Sequence, residues 1–203
     1  MHLNDNEKQQ ISKEIENLEK ESSAELVAVI TKQSSSYKFE TIAFALLLST
    51  IISLVTLLFE TSAIKLFQIQ VISFLSFYLI FEKFNKILLA LLPKSYKYTK
   101  ASEYANKQFV NLGLQTTKTK QAIMFFVSYD EKFVEIITDS KIKEKIEDNY
   151  WQVIVDEFIK DVKNNDLSSG YLKAIKSCNS ILIKNFPIKE NDENELPNDV
   201  VEL

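Results

Sequence analysis

Residues 41–59 read TIAFALLLSTIISLVTLLF, an unbroken run of 19 positions without a charged side chain. As a helix, this run is roughly 28 Å long, which matches the hydrocarbon thickness of a bilayer. Its twelve Leu, Ile, Phe and Val side chains favour insertion into lipid by roughly 4–7 kcal/mol, and no ionised group opposes them. The run therefore predicts a membrane-spanning helix.

A second apolar run at 66–81 follows the short connector ETSAIK. The stem of Lys65 can lie along the bilayer while its ammonium stays at the surface, which extends this span to 63–81. Residues 84–92 are too short to cross again and are predicted to lie at the interface. The interval 41–92 is thus predicted as a transmembrane helical hairpin. The alternative is a helix pair buried in a soluble core, but such helices are usually shorter and less uniformly apolar.

Lysines flank the predicted hairpin unevenly. Two crossings return the chain to its starting side, so both soluble segments share one compartment. Seven lysines lie on that side, against Lys65 alone in the connector; they are Lys32, Lys38, Lys83, Lys86, Lys94, Lys97 and Lys100. The positive-inside rule predicts that both termini are cytoplasmic. The polar N-terminus lacks the apolar stretch of a signal peptide, so we expect an uncleaved anchor.

Composition excludes several classes of site in the 203-residue chain. There is no arginine, and the net charge is −4, so nucleic acid is not an expected partner. The one histidine is His2 and the one cysteine is Cys178, which excludes an intrachain disulfide and the usual zinc sites. Only Gly113 and Gly170 are glycines, too few for a dinucleotide-binding turn, and no Walker loop is present. No catalytic residue is predicted.

The remaining sequence interleaves predicted strands and amphipathic helices. Stretches rich in β-branched and aromatic residues at 24–31, 121–128 and 132–138 are predicted strands, the last two joined as an antiparallel hairpin. About four amphipathic helices are expected, which begin near residues 4, 99, 140 and 168. Helices with one apolar face need a sheet to cover, which predicts a layered α/β sandwich. It is assembled from 1–37 and 94–187, and an acidic tail follows at 188–203.

Several helix ends carry local signals. Asn4 and Glu7 have the spacing of a capping box. The helix predicted at 99–112 ends before Gly113, which suits a left-handed cap. A loop is expected at 164–170, with Ser168 or Ser169 capping the last helix.

Three stretches together resemble the TPM domain family in its bacterial membrane-anchored branch. They are AELVAVI at 24–30, QAIMFFVSYDEKFVEIITD at 121–139 and NELPNDVVEL at 194–203. The resemblance implies a Rossmann-like α/β/α sandwich with a small mixed sheet, interrupted by the two-helix hairpin, and a location in a bacterial inner membrane. It also implies relatives among thylakoid-lumen proteins of photosystem II repair, some described as acid phosphatases, and an association of the fold with metal binding.

Two carboxylates are the candidate metal ligands. Glu25 opens the first strand and Asp139 closes the third, and carboxylates at strand ends can gather at a cleft and bind Ca²⁺ or Mg²⁺. Asp130, Glu131 and Glu135 add acidic residues nearby in sequence. The alternative is that Glu25 is a solvated edge residue and Asp139 is a helix N-cap.

These observations favour a membrane-anchored α/β module without catalytic groups of its own. We expect it to bind another membrane protein, or to assist its assembly or turnover. The alternative is a metal-dependent phosphatase that uses Glu25 and Asp139. A third possibility is a hairpin that associates with a second copy of itself in the bilayer.

Overall fold

The computed structural model describes residues 3–59, 62–163, 167–189 and 192–203. The chain forms two compact units, one of Met1–Ser34 with Lys100–Leu203 and the other of Ser35–Thr99. We call the first the sheet unit and the second the hairpin unit. The described helices are α1 (Asp5–Glu19), α2 (Lys38–Thr56), α3 (Ala63–Lys83), α4 (Asn85–Leu91), α5 (Lys94–Asn111), α6 (Ser140–Lys145), α7 (Asp148–Lys163) and α8 (Leu167–Asn185), with a short 3-10 turn at Leu114–Thr116.

The sheet unit contains a mixed four-stranded sheet. Its strands are β1 (Glu25–Thr31), β2 (Ala122–Ser128), β3 (Phe133–Thr138) and β4 (Val201–Glu202), in the spatial order β3-β2-β1-β4. β1 is parallel to both of its neighbours, and β2 and β3 form the predicted antiparallel hairpin. Every residue of β1 and β2 is buried, as expected for strands covered on both faces.

Alternate residues of β1 and β2 face two layers of helix. One face belongs to a core shared with α1, α7 and α8, in which the rings of Phe125, Phe158 and Tyr171 meet edge to face at 5.0–5.1 Å. On the other face, Tyr104 of α5 contacts Phe126, with ring centroids 6.1 Å apart. These layers confirm the predicted α/β/α sandwich with a small mixed sheet.

In the hairpin unit, α2 and α3 pack side by side. At the end where α2 begins and α3 finishes, a small apolar core joins them to α4. Its buried residues are Tyr37, Ala45, Phe81, Leu88, Leu89 and Leu92. The start of α5 is tied to the same end, because Lys97 donates to the carbonyl of Leu89 at 2.7 Å.

Two local predictions are confirmed. The Asn4 side chain accepts the N–H of Glu7 at 2.9 Å, and the Glu7 carboxylate accepts the N–H of Asn4 at 2.7 Å. Together these two bonds form the capping box. Gly113 has a φ of 75°, the left-handed geometry that only glycine adopts without strain.

Other boundaries differ from the prediction. α5 begins at Lys94, directly after Pro93, rather than near residue 99, since proline is compatible with the first turn of a helix. The expected single helix from residue 140 is two helices, because the backbone of Ile146 is extended. Ser168 and Ser169 lie inside α8, so the predicted cap there is wrong; part of the predicted loop, 164–166, lies outside the described residues.

Candidate functional site

The two carboxylates predicted as metal ligands lie at the same edge of the sheet. Glu25 is in register with Ala122, the first residue of β2. The backbone N–H of Asp139 donates to the carbonyl of Ala122 at 2.9 Å. Because neighbouring strands are about 4.8 Å apart, β2 separates the two backbones by about 10 Å. The structure therefore brings both residues to one edge, on opposite sides of β2.

Glu25 is buried, with 4% of its surface exposed. One carboxylate oxygen, Oε1, accepts the backbone N–H of Glu195 at 3.1 Å. The other, Oε2, is buried without a hydrogen-bond partner among the described residues. Burial raises the pKa of Glu25, against the opposing effect of the Glu195 and Leu196 N–H groups, and the nearby Asp192 raises it further. Glu25 is thus a buried group that contacts the C-terminal tail, not the solvated residue of the alternative interpretation.

Glu19, at the end of α1, is a neighbouring carboxylate that is partly buried and that the sequence pattern did not single out. Its oxygens accept the backbone N–H of Leu26 at 3.0 Å and the side-chain N–H of Asn194 at 3.3 Å. Burial, aided by the charges of Glu25 and Asp192, raises the pKa of Glu19 to about 8. One signal was available: Glu19 follows the buried Ile15 by four residues, which places it next to the apolar stripe of α1.

Asp139 is the N-cap of α6, as its alternative interpretation states. Its Oδ1 accepts the N–H of Ser140 at 2.6 Å. Its Oδ2 is buried without a hydrogen-bond partner among the residues that the structure describes. A capping role accounts for one carboxylate oxygen and leaves the other available.

The other acidic residues of the predicted cluster lie elsewhere. Glu131 lies beyond the opposite end of β2, where it is buried and accepts bonds from the Ser34 N–H at 2.9 Å and from the Ser128 hydroxyl. Glu135 lies within β3 and accepts the hydroxyl of Ser102 at 3.1 Å. Burial raises the pKa of Glu135, and the bond from Ser102 opposes this shift. Glu131 and Glu135 therefore do not add metal ligands at the edge of the sheet where Glu25 and Asp139 lie.

Carboxylate oxygens are the ligands that Ca²⁺ and Mg²⁺ prefer, so the chemistry of Glu25 and Asp139 suits such an ion. Two ligands are too few, however, and the described part of the chain holds no group of three His, Cys, Asp or Glu side chains placed to bind one metal. The described residues therefore do not form a complete metal site.

The hairpin unit carries the second candidate functional surface. By length and composition, α2 and α3 could each cross a membrane, and only 17% and 6% of their most apolar stretches are buried. Large apolar side chains lie exposed along both helices, among them Leu54 and Leu79, each 62% exposed. Neither helix is therefore packed as the core helix of a soluble protein.

Three polar side chains of the hairpin, Gln70, Ser49 and Ser53, are bonded to each other. The amide of Gln70 on α3 donates to the hydroxyl of Ser49 on α2 at 3.0 Å, and its carbonyl accepts the hydroxyl of Ser53. Ser49 is fully buried. The exposed surface of the helix pair consists largely of apolar side chains.

A mixed-sheet α/β/α domain combined with two apolar helices defines the general class of this protein. The model of the TPM domain family matches residues 82–181, and this part of the chain is a TPM domain. The fold is also similar to the solution structure of the BA42 protein from the psychrophilic bacterium Bizionia argentinensis, with a TM-score of 0.62 and 18% sequence identity over 100% of this chain and 97% of that one. At that identity the likeness concerns the fold alone. No curated protein matches this chain.

Proposed function

We propose that this TPM domain protein is anchored in a membrane by α2 and α3, and that its sheet unit binds another membrane protein or assists its assembly or turnover. The exposed apolar surface of the two helices carries the proposal. A soluble protein rarely exposes a continuous apolar surface of this extent, whereas lipid covers one at no cost.

The pairing of Gln70 with the serines of α2 supports the same conclusion. Inside a bilayer, a polar side chain is stable when a neighbouring helix satisfies its hydrogen bonds. The network of Gln70, Ser49 and Ser53 does this within the hairpin. No ionisable side chain occurs between Thr41 and Phe59, which argues against ion transport. The hairpin is therefore best suited to anchoring, and the function belongs to the attached sheet unit.

Cross-linking inside membranes tests the binding role. A photoreactive phenylalanine analogue would replace Val153 on α7 or Val110 on α5, apolar side chains that are 58% and 56% exposed. We expect at least one position to form an adduct with an integral membrane protein, identified by mass spectrometry. If both positions yield lipid adducts only, or none, the binding role is wrong.

The alternative function is a metal-dependent phosphatase at Glu25 and Asp139. It is favoured by the two buried carboxylate oxygens that lack partners among the described residues, and the family model has phosphatase in its name. It is opposed by the small number of candidate metal ligands and by the absence of arginine, the side chain best suited to bind a phosphoryl group through two hydrogen bonds.

Asp139→Asn separates the two functions, because asparagine is as good an N-cap as aspartate. We expect the variant to keep its thermal unfolding midpoint, and neither variant nor wild type to hydrolyse p-nitrophenyl phosphate with Mg²⁺ or Ca²⁺. Hydrolysis that stops on adding a chelator, and that Asp139→Asn abolishes, would establish the phosphatase instead.

A further inference from the structure

The end of the hairpin where α2 begins and α3 finishes is basic, although the whole chain carries a net charge of −4. We call this end the hairpin base and define it as residues 35–40 and 82–99. It contains five lysines, Lys38, Lys83, Lys86, Lys94 and Lys97, against two glutamates, Glu40 and Glu82. Positive charge is therefore concentrated where the apolar helices end.

Internal contacts hold the hairpin base in one arrangement. α4 is fixed by the buried Leu88 and Leu89, which pack in the core of the hairpin unit. Glu40 is largely buried and accepts the hydroxyl of Tyr96, and the ammonium of Lys97 is bonded to the Leu89 carbonyl. One of the two glutamates is thus engaged internally, whereas Lys83, Lys86 and Lys94 are exposed.

Apolar side chains lie exposed between these lysines. Phe84, Ile87 and Leu91 are 52%, 47% and 50% exposed. The ammonium of Lys83 lies 5.7 Å from the ring centre of Phe84, and that of Lys94 lies 4.8 Å from the ring centre of Tyr98. The hairpin base therefore offers ammonium groups and apolar side chains on the same short stretch of chain.

This combination fits the surface of a lipid bilayer better than other partners. A protein interface is depleted in lysine relative to the rest of the surface. Free phosphate would need the lysines but not Phe84, Ile87 and Leu91. At a bilayer surface, apolar side chains enter the boundary of the acyl chains while lysines remain among the phosphates of the headgroups.

We propose that the hairpin base binds anionic phospholipids, with Lys83, Lys86 and Lys94 at the lipid phosphates and Phe84, Ile87 and Leu91 at the acyl-chain boundary. The inference rests on the proposed membrane anchoring and specifies its lipid partner. Each lysine near an anionic bilayer surface contributes separately to the attraction. The preference is therefore expected to be additive and to weaken with salt.

The test reconstitutes the full chain into vesicles of phosphatidylcholine with phosphatidylglycerol. Electron spin resonance then measures the immobilised fraction of spin-labelled phosphatidylglycerol and, separately, of spin-labelled phosphatidylcholine. The test variant is Lys83→Gln/Lys86→Gln/Lys94→Gln. The control, Lys107→Gln/Lys160→Gln/Lys176→Gln, makes the same change of net charge at exposed lysines of the sheet unit.

Wild type and control are expected to immobilise phosphatidylglycerol in preference to phosphatidylcholine, and the test variant is expected to lose most of that preference. No preference in the wild type, or an unchanged preference in the test variant, would overturn the inference. Resistance of the same vesicles to alkaline carbonate distinguishes this outcome from failure of the anchor. A protein that stays inserted without lipid preference refutes only the lipid site, whereas a released protein refutes the proposed anchoring itself.

Discussion

Gln70 of α3 donates a side-chain hydrogen bond to Ser49 of α2 at 3.0 Å, and Ser49 is fully buried between the helices. The bond joins the midsections of two helices whose other exposed side chains are mainly apolar. A polar residue in an apolar segment would ordinarily oppose membrane insertion. Here its partners lie in the hairpin itself, so the polar groups stabilise helix pairing instead.

Replacing Gln70 should weaken this pairing. In Gln70→Leu the Ser53 hydroxyl loses its acceptor on Gln70, and Ser49 keeps only the bond that its hydroxyl donates to the Leu46 carbonyl at 2.9 Å. We expect the helix pair to lose about 1 kcal/mol, the usual value of such interhelical bonds in membranes. The SDS fraction at half-unfolding, followed by far-UV circular dichroism, measures the change. Gln68→Leu is the matched control, because Gln68 is exposed on the same helix. Equal effects of the two substitutions would show that the Gln70 network contributes nothing.

The stability of the sheet unit should fall as pH rises, because of Glu19. The folded-state pKa of Glu19 is raised from 4.5 to about 8, so the folded state holds its proton more tightly than the unfolded state. The resulting stability is complete below about pH 4.5 and is lost as pH rises towards 8. The full shift corresponds to about 5 kcal/mol. Because Glu19 is partly exposed and its charge is screened by solvent, we expect a loss on the order of 2 kcal/mol across this window.

Urea unfolding followed by the fluorescence of Trp151, the one tryptophan, measures this dependence. Glu19→Gln imitates the protonated side chain and should flatten the curve between about pH 5 and about pH 8. Glu21→Gln, which changes an exposed carboxylate two residues away, should leave the slope unchanged. A wild-type stability that rises over this range would contradict the assignment.

Two tyrosines of the sheet unit should respond oppositely to loss of the hydroxyl. The Tyr171 hydroxyl is buried without a hydrogen-bond partner among the described residues, so Tyr171→Phe removes an unsatisfied group. We expect it to raise the free energy of unfolding by up to about 1 kcal/mol. The Tyr150 hydroxyl donates to the carbonyl of Ser177 at 2.9 Å, so Tyr150→Phe should lower it by about 1 kcal/mol. The same urea titration measures both, and effects of equal sign would refute this interpretation.

Much of the fold could be predicted because its signals are local. β1, β2 and β3 are marked by β-branched and aromatic residues, and the four-residue turn at 129–132 determines how the last two pair. β4 could not be predicted, since it has two residues and exists only because the tail meets the edge of β1. The break at Ile146 between α6 and α7 could not be predicted either, because no glycine or proline lies near it in sequence.

The candidate site was only partly predictable for the same reason. Strand order places Glu25 and Asp139 at one edge, which their positions at strand ends already indicated. Glu25 and the partly buried Glu19 contact Glu195 and Asn194, which are 170 and 175 positions away in sequence. Such a contact cannot be predicted from a local sequence pattern, so the raised pKa of Glu19 could be found only from the folded structure.

Extraction of membranes with alkaline carbonate tests the membrane anchor most directly. We expect the full-length protein to remain in the pellet. The variant Leu47→Lys/Leu54→Lys, which places two charges on the exposed face of α2, should move to the supernatant, because each lysine opposes insertion by about 3 kcal/mol. Wild-type protein in the supernatant would show that α2 and α3 pack against protein rather than lipid, and would contradict the anchored account.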